Sequence, residues 1–147
     1  MNVRIRKARE ADLEQVLDVY REAGLAVRGS LSPQTARGVF ERMSSYPNYT
    51  VYVAELDGRI CGTFALLIMD NLANGGMPSG VVEDVAVSSA FQGQGIGKAM
   101  MRFAMDECRR NRCYKMTLSS NAMRTEAHRF YESLGFVRHG YSYRVEL

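Results

Sequence analysis

Apolar positions along this chain fall into two periods, and the switches between them mark its elements. Over residues 3–8 apolar and basic residues alternate, the period of a strand with one buried face. Leu13, Val16, Leu17 and Tyr20 then recur at helical spacing, with Asp12 placed as a cap and Gly24 as a stop. Residues 28–32 read as a loop, and Pro33 stands where a second helix, running to about Met43, would begin. Residues 49–56 and 59–69 are β-rich runs joined by Asp57-Gly58, a strong hairpin signal. Residues 71–80 have almost no apolar content and read as an exposed, mobile loop. A strand over 81–87 follows, then a helix over 97–110, a strand over 114–119, a helix over 124–134 and a closing strand over 136–145.

Strands alternating with helices predict an α/β or α+β fold, a sheet with helices on both faces. No repeat or low-complexity linker interrupts the pattern. The 147 residues, 46% of them hydrophobic, are enough for a single domain over 1–147 that buries most of its apolar surface. No apolar run approaches the roughly 20 residues of a membrane helix, and the first ten residues lack the apolar core of a signal peptide. The expectation is a soluble, cytoplasmic protein with no membrane partner.

Charge and cysteine content narrow the partners further. A net charge of +3 is slight, and the basic run Arg109, Arg110, Arg112 lacks interleaved aromatics, so it fits a helix end better than a nucleic-acid surface. Cys61, Cys108 and Cys113 form no C-x-x-C pair and lie near no histidine at ligand spacing, which reads as reduced, mostly buried thiols. His128 and His139 are too far apart in sequence to predict a shared metal site, and no metal is expected.

The chemistry concentrates after the strand at 81–87, where Gly93, Gly95 and Gly97 lead directly into a helix. Glycines leave backbone N–H groups unshielded, and a helix start adds orphan donors and the positive end of the macrodipole, so the turn can cradle a pyrophosphate. A Walker A loop needs four residues between its first glycine and Gly-Lys, then Ser or Thr, whereas Ala99 follows Gly97-Lys98. A dinucleotide fingerprint needs G-x-G-x-x-G in the first strand-turn-helix unit, whereas the spacing here is G-x-G-x-G and past mid-chain. Nucleotide triphosphatases and nicotinamide or flavin enzymes are therefore disfavoured.

Gln92-x-x-Gly95-x-Gly97 after Val-Glu-Asp-Val-Ala-Val resembles the acetyl-CoA motif of the GNAT superfamily of N-acetyltransferases. Asn121-Ala-Met-Arg-Thr-Glu-Ala-His-Arg-Phe-Tyr131-Glu-Ser-Leu-Gly135-Phe136 is similar to that family's closing motif, and residues 5–13 to its usual opening. Two separated motifs in the right order are more specific than either alone. The resemblance implies a mixed, mostly antiparallel sheet of six or seven strands. It also implies an acetyl-CoA-dependent enzyme acting on a primary amine, and it allows a homodimer through the closing strand or an edge strand.

Residue by residue, the resemblance implies that the backbone of Val85, Ala86 and Val87 pairs with the pantetheine arm and that a bulge frees an N–H for the thioester carbonyl. Backbone groups of Gln92, Gly93, Gln94, Gly95, Ile96, Gly97 and Lys98 would hold the pyrophosphate. Asn121 would bind the pantetheine amide, its alternative being a loop residue before the helix, and His128 would lie beside the cofactor; its spacing from Tyr131 lets the two share a helix face, with a partly buried structural histidine as the alternative. Tyr131 would protonate the leaving thiolate, its alternative role being a core aromatic packed on Phe130. Glu83 and Asp84 are adjacent in a strand and so point to opposite faces, but a bulge near Val85 would alter that parity, and alternation alone does not choose between them. Glu83 ranks first as base, acting through water, with Asp84 second or orienting.

The acceptor is the least legible part. The acidic pair is similar to that of glucosamine-6-phosphate N-acetyltransferases, and the closing motif has the spacing of aminoalkylphosphonate N-acetyltransferases, both acting on amines that carry an anion. Arg28, Arg37 and Arg124 are the arginines that could recognise one. Two other classes stay open: a protein or peptide N-acetyltransferase, and a non-catalytic acetyl-CoA-binding module.

Overall fold

The computed structural model describes residues 2–147, which gather into two compact units, one running to Thr117 and the other comprising Leu118–Leu147. The first contains β1 (Arg4–Lys7), α1 (Leu13–Glu22), α2 (Pro33–Ser44), β2 (Tyr49–Leu56), β3 (Arg59–Met69), β4 (Ser79–Val87) and α3 (Ile96–Arg110). β5 (Met116–Leu118) reaches the boundary, and α4 (Thr125–Ser133) belongs to the second unit. The strands form one five-stranded sheet in chain order, with β1 to β4 antiparallel in turn.

The hairpin was readable because its turn chemistry is local. Asp57 (φ 50°) and Gly58 (φ 75°) both take positive φ, as a type I′ turn requires, and Leu56 pairs with Arg59. Ser32 caps α2 by accepting from the Thr35 N–H at 3.2 Å, with Pro33 in the first helical position. Gly24, at φ 76°, lies just past the end of α1.

Two helices cover opposite faces of the sheet. A Cβ built on Gly62 would lie 3.0 Å from Met100 Sδ and 3.1 Å from Ile96 Cγ2, so that face of β3 lies under α3. The next residue, Thr63, is fully buried, points to the other face, where Tyr20 of α1 lies near it, and donates its hydroxyl to the Tyr52 carbonyl at 2.8 Å. Cys61 is an extra residue in β3, since Ala54 pairs with Gly62 and Glu55 with Ile60. That slip turns Ile60 to the α1 side, where it packs with Val16, Val19, Val53 and Ala86. Phe64, Leu66, Met100 and Met101 are among the largest fully buried side chains.

Four expectations need correction. The sheet has five strands, and residues 136–145 form none: Val137, Tyr141, Tyr143 and Val145 are exposed. Alternation marks a segment as able to be a strand, but a strand exists only by pairing. The strand expected over 114–119 is only Met116–Leu118. β4 begins at Ser79, inside the expected loop, because Ser79 and Gly80 are buried and Gly80 donates its N–H to the Lys115 carbonyl at 3.0 Å. A Cβ on Gly80 would fall 2.3 Å from Cys108 Sγ, so the low apolar content there reflects the close approach of α3.

Asp12 stands at the cap of α1 but makes no side-chain cap bond. Its carboxylate instead accepts the Arg6 guanidinium at 2.7 and 2.9 Å and the Arg9 N–H at 2.7 Å, and Arg6 also reaches Glu55 at 2.7 Å. The bidentate Arg6 contact holds this buried carboxyl below the ordinary range. All three cysteines are free, Cys61 and Cys108 buried and Cys113 half-buried.

Candidate active site

The strand that carries Glu83 and Asp84 is broken by a bulge. Thr63 pairs with Ala86 and Ala65 with Glu83, so Asp84 and Val85 together oppose the single residue Phe64. Asp84 takes φ 54°, a left-handed conformation that aspartate tolerates better than most residues. Strict alternation would have pointed the two acids to opposite faces. With the bulge, Val82 and Ala86 are buried, Val85 is half-buried, and both Glu83 and Asp84 reach solvent.

Partial desolvation pushes both carboxyls above the ordinary range, and the charge of Asp84 adds to the effect at Glu83. The same charge reaches two tyrosines. Burial, reinforced by Asp84, pushes the Tyr20 phenol up to about 12, and burial with both acids raises Tyr49. The acids of β4, Tyr20 of α1 and Tyr49 of β2 thus share one electrostatic neighbourhood. Carboxylates with raised proton affinity are stronger bases than ordinary ones, which suits them to take a proton from an ammonium.

Sequence reading had placed Tyr20 only on the apolar stripe of α1, and no local signal reveals its link across the sheet. Tyr46, Tyr49 and Tyr52 lie within seven residues of sequence but differ in role. Tyr46 stacks on Tyr49 at 6.1 Å, while Tyr52 is a core ring, 5.2 Å from Phe64 and 5.1 Å from Phe103.

Beyond Val87 the chain makes a short 3-10 turn at Ser89–Phe91, extends at Gln92, and enters α3 through Gly93 (φ 77°) and Gly95 (φ 81°). Neither glycine would bring a Cβ within 4 Å of another group, so the backbone conformation selects them rather than space. Gly95 offers α3 no side-chain cap, and the Ala99 N–H donates to its carbonyl at 3.0 Å. The N–H groups of Ile96, Gly97 and Lys98 precede that bond and have no partner within the helix. Ile96 is buried and anchors the turn, while Gln92, Gln94 and Lys98 are exposed. Gln94 folds back to donate to the Ala90 carbonyl at 3.4 Å.

In the second unit, Asn121 accepts the Met123 N–H on its side-chain oxygen at 2.9 Å, and its carbonyl accepts the Arg124 N–H at 3.0 Å. His128 Nε2 lies 2.8 Å from the same carbonyl. Tyr131 packs between Phe130, at 5.2 Å, and Phe136, at 5.6 Å, where Gly135 (φ 94°) reverses the chain. Burial raises its phenol, with Arg124 pulling the other way.

Of the candidate anion-binding arginines, Arg28 is exposed in the segment between α1 and α2, and Arg124 is exposed before α4. Arg37, on α2, is exposed as well and pairs with Glu10 at 3.5 Å. Among the described residues no group of three or more His, Cys, Asp and Glu is placed to hold a metal ion, and no helix is long and apolar enough to cross a membrane.

The Acetyltransferase (GNAT) family model matches residues 13–136. Glucosamine 6-phosphate N-acetyltransferase of Trypanosoma brucei brucei is 35% identical over 97 residues, 66% of this chain and 64% of that protein. Thus the match spans just under two thirds of that relative's length. Aminoalkylphosphonate N-acetyltransferase of Salmonella typhimurium is 28% identical over 133 residues, 90% of this chain and 82% of that protein. The crystal structure of glucosamine-6-phosphate N-acetyltransferase from Arabidopsis thaliana superposes with a TM-score of 0.86 at 27% identity, covering 99% of each chain.

Proposed function

Because the chain belongs to the acetyltransferase (GNAT) family, we propose that its 147 residues act as one domain that transfers the acetyl group of acetyl-CoA to the primary amine of a small molecule bearing an anion, such as glucosamine 6-phosphate. The observation that carries the reading is the bulge at Asp84 and Val85, beside two carboxyls of raised proton affinity.

Acetyl-CoA supplies an activated thioester, and the chain's residues do the rest. Glu83, with Asp84 orienting or substituting, takes the ammonium proton through water so that the nitrogen can attack. A backbone N–H freed by the bulge donates to the developing oxyanion, where losing one such donor costs about 3 kcal/mol of barrier. Val85, Ala86 and Val87 hold the pantetheine arm, and the N–H groups of residues 92–98 hold the pyrophosphate, with the Lys98 ammonium assisting. Asn121 binds the pantetheine amide and Tyr131 returns a proton to the thiolate. Arg28 and Arg124 serve the acceptor's anion.

Thiol release from acetyl-CoA against glucosamine 6-phosphate, aminoalkylphosphonates, polyamines, aminoglycosides and short peptides tests this. Turnover restricted to the anionic amines supports the reading. Turnover on peptides would move the protein to another acceptor class, and CoA binding without turnover would make it a binding module.

The acid pair adds a pH prediction. The base must be ionised to act, so kcat/KM is expected to fall with acidification through a limb displaced above the ordinary carboxylate range. Stability runs the other way. A carboxyl whose pKa rises on folding favours the native state below its unfolded pKa, and that contribution is lost as pH rises through the folded value. Asp84→Asn, which suits φ 54°, is therefore expected to lower activity while raising the thermal midpoint at neutral pH, with the gain vanishing in acid. A lower midpoint at pH 7 would contradict the burdened-acid account.

A further inference from the structure

Glu22 is an acid in a place that disfavours one. It ends α1, where the negative end of the helix dipole faces it, and it is exposed. Yet its carboxyl is held below the ordinary range, chiefly by Ser88. One oxygen, Oε2, accepts the Ser88 hydroxyl at 2.7 Å, the Ser89 N–H at 2.9 Å and the Ser89 hydroxyl at 3.2 Å. These contacts span 66 and 67 positions of sequence, so they join α1 to the connection between β4 and α3.

That connection is pinned elsewhere too. Buried Ser88 donates its N–H to the Cys61 carbonyl at 2.8 Å, Phe91 donates to the Ser88 carbonyl at 2.9 Å, and the Arg59 guanidinium lies 5.4 Å from the Phe91 ring centroid. Among these ties, Glu22 supplies a charged acceptor, and charge-assisted hydrogen bonds are about twice as strong as neutral ones. Three residues beyond Ser89 the chain reaches Gln92 and the glycine turn, where a Cβ on Gly93 or Gly95 would meet nothing within 4 Å, so no side chain at these positions ties the turn down. Buried Ile96 anchors the far end of that turn, and its near end is set by the connection that Glu22 holds.

We propose that Glu22 is a positioning residue for acetyl-CoA: by clamping Ser88 and Ser89 it fixes the base of the 92–98 turn and so aims the N–H groups that hold the pyrophosphate. This rests on the cofactor reading of that turn. It also gives α1 a second role, since the segment carrying Arg28 leaves from the same helix end.

The test compares Glu22→Ala, Glu22→Gln and Ser88→Ala by calorimetric titration with CoA, steady-state kinetics and thermal unfolding. Glu22→Ala is expected to raise the Kd for CoA and the KM for acetyl-CoA about tenfold, the scale of one hydrogen bond to a charged group, with kcat within about twofold. Glu22→Gln keeps an acceptor oxygen and is expected to recover most of that loss. Ser88→Ala, which leaves the two Ser89 bonds to Glu22 in place, should reproduce part of the KM effect from the other side, and the double variant should fall short of the sum because the two substitutions share the Ser88 contact. If Glu22→Ala fails to fold, Ser88→Ala and Glu22→Gln carry the test. CoA affinity unchanged in the variants, or kcat and KM moving together with a lost thermal midpoint, overturns the proposal while leaving the cofactor reading intact. A native protein that binds no CoA overturns both.

Discussion

Tyr131→Phe is expected to lower kcat by about 100- to 10,000-fold, the range that positioned acid catalysis supplies, while CoA affinity and thermal midpoint stay close to those of the parent. The substitution removes one oxygen and keeps the ring that packs against Phe130 and Phe136. Burial holds the phenol protonated above its ordinary range, so at neutral pH the group carries the proton that a departing thiolate needs. If Tyr131 is the acid, the loss sits in kcat, and any alkaline limb belonging to the phenol disappears in the variant. If the ring only packs, kcat barely moves. Thiol release at saturating acetyl-CoA, followed across pH in both proteins, separates these outcomes.

The fold was legible where local chemistry decides it. Asp57-Gly58 fixed a hairpin whose strands begin and end at the expected residues, and Pro33 marked the start of α2, where the structure adds the Ser32 cap. It was illegible where pairing or close approach decides. Residues 136–145 alternate like a strand but form none, and Gly80 looks like loop until Cys108 is seen against it. In both places the deciding atoms belong to another element, which a window of sequence does not contain.

The candidate site divides in the same way. The glycine turn announced itself, because positive φ at Gly93 and Gly95 is a local demand. The acid pair was visible as residues, but its geometry was not: only the register against β3 shows that Asp84 and Val85 share one partner and that both acids reach solvent. Tyr20 and Glu22 left no trace, since a tyrosine on an amphipathic stripe and a glutamate at a helix end have ordinary local explanations. Their roles come from Asp84 and from Ser88 and Ser89, more than sixty residues downstream.

Phe64→Ala is expected to destabilise the protein by about 3–5 kcal/mol, the usual cost of deleting a buried aromatic side chain. Phe64 has no exposed surface and stacks on Tyr52 at 5.2 Å with the rings 17° from parallel, so the ring leaves a cavity that its well-packed neighbours fill only in part. Against a typical total of roughly 5–15 kcal/mol, the variant sits near the edge of folding at room temperature. Urea unfolding followed by circular dichroism gives the value, and a cost below about 1 kcal/mol would mean that the core between β3 and α3 is looser than its burial implies. The damage is also expected to reach the site first. Phe64 is the single residue facing Asp84 and Val85 across the bulge, so losing it removes what holds the two-against-one pairing in place. Thermal inactivation of Phe64→Ala should therefore precede its loss of secondary structure, whereas coincident midpoints would show that the bulge is held by the rest of β4.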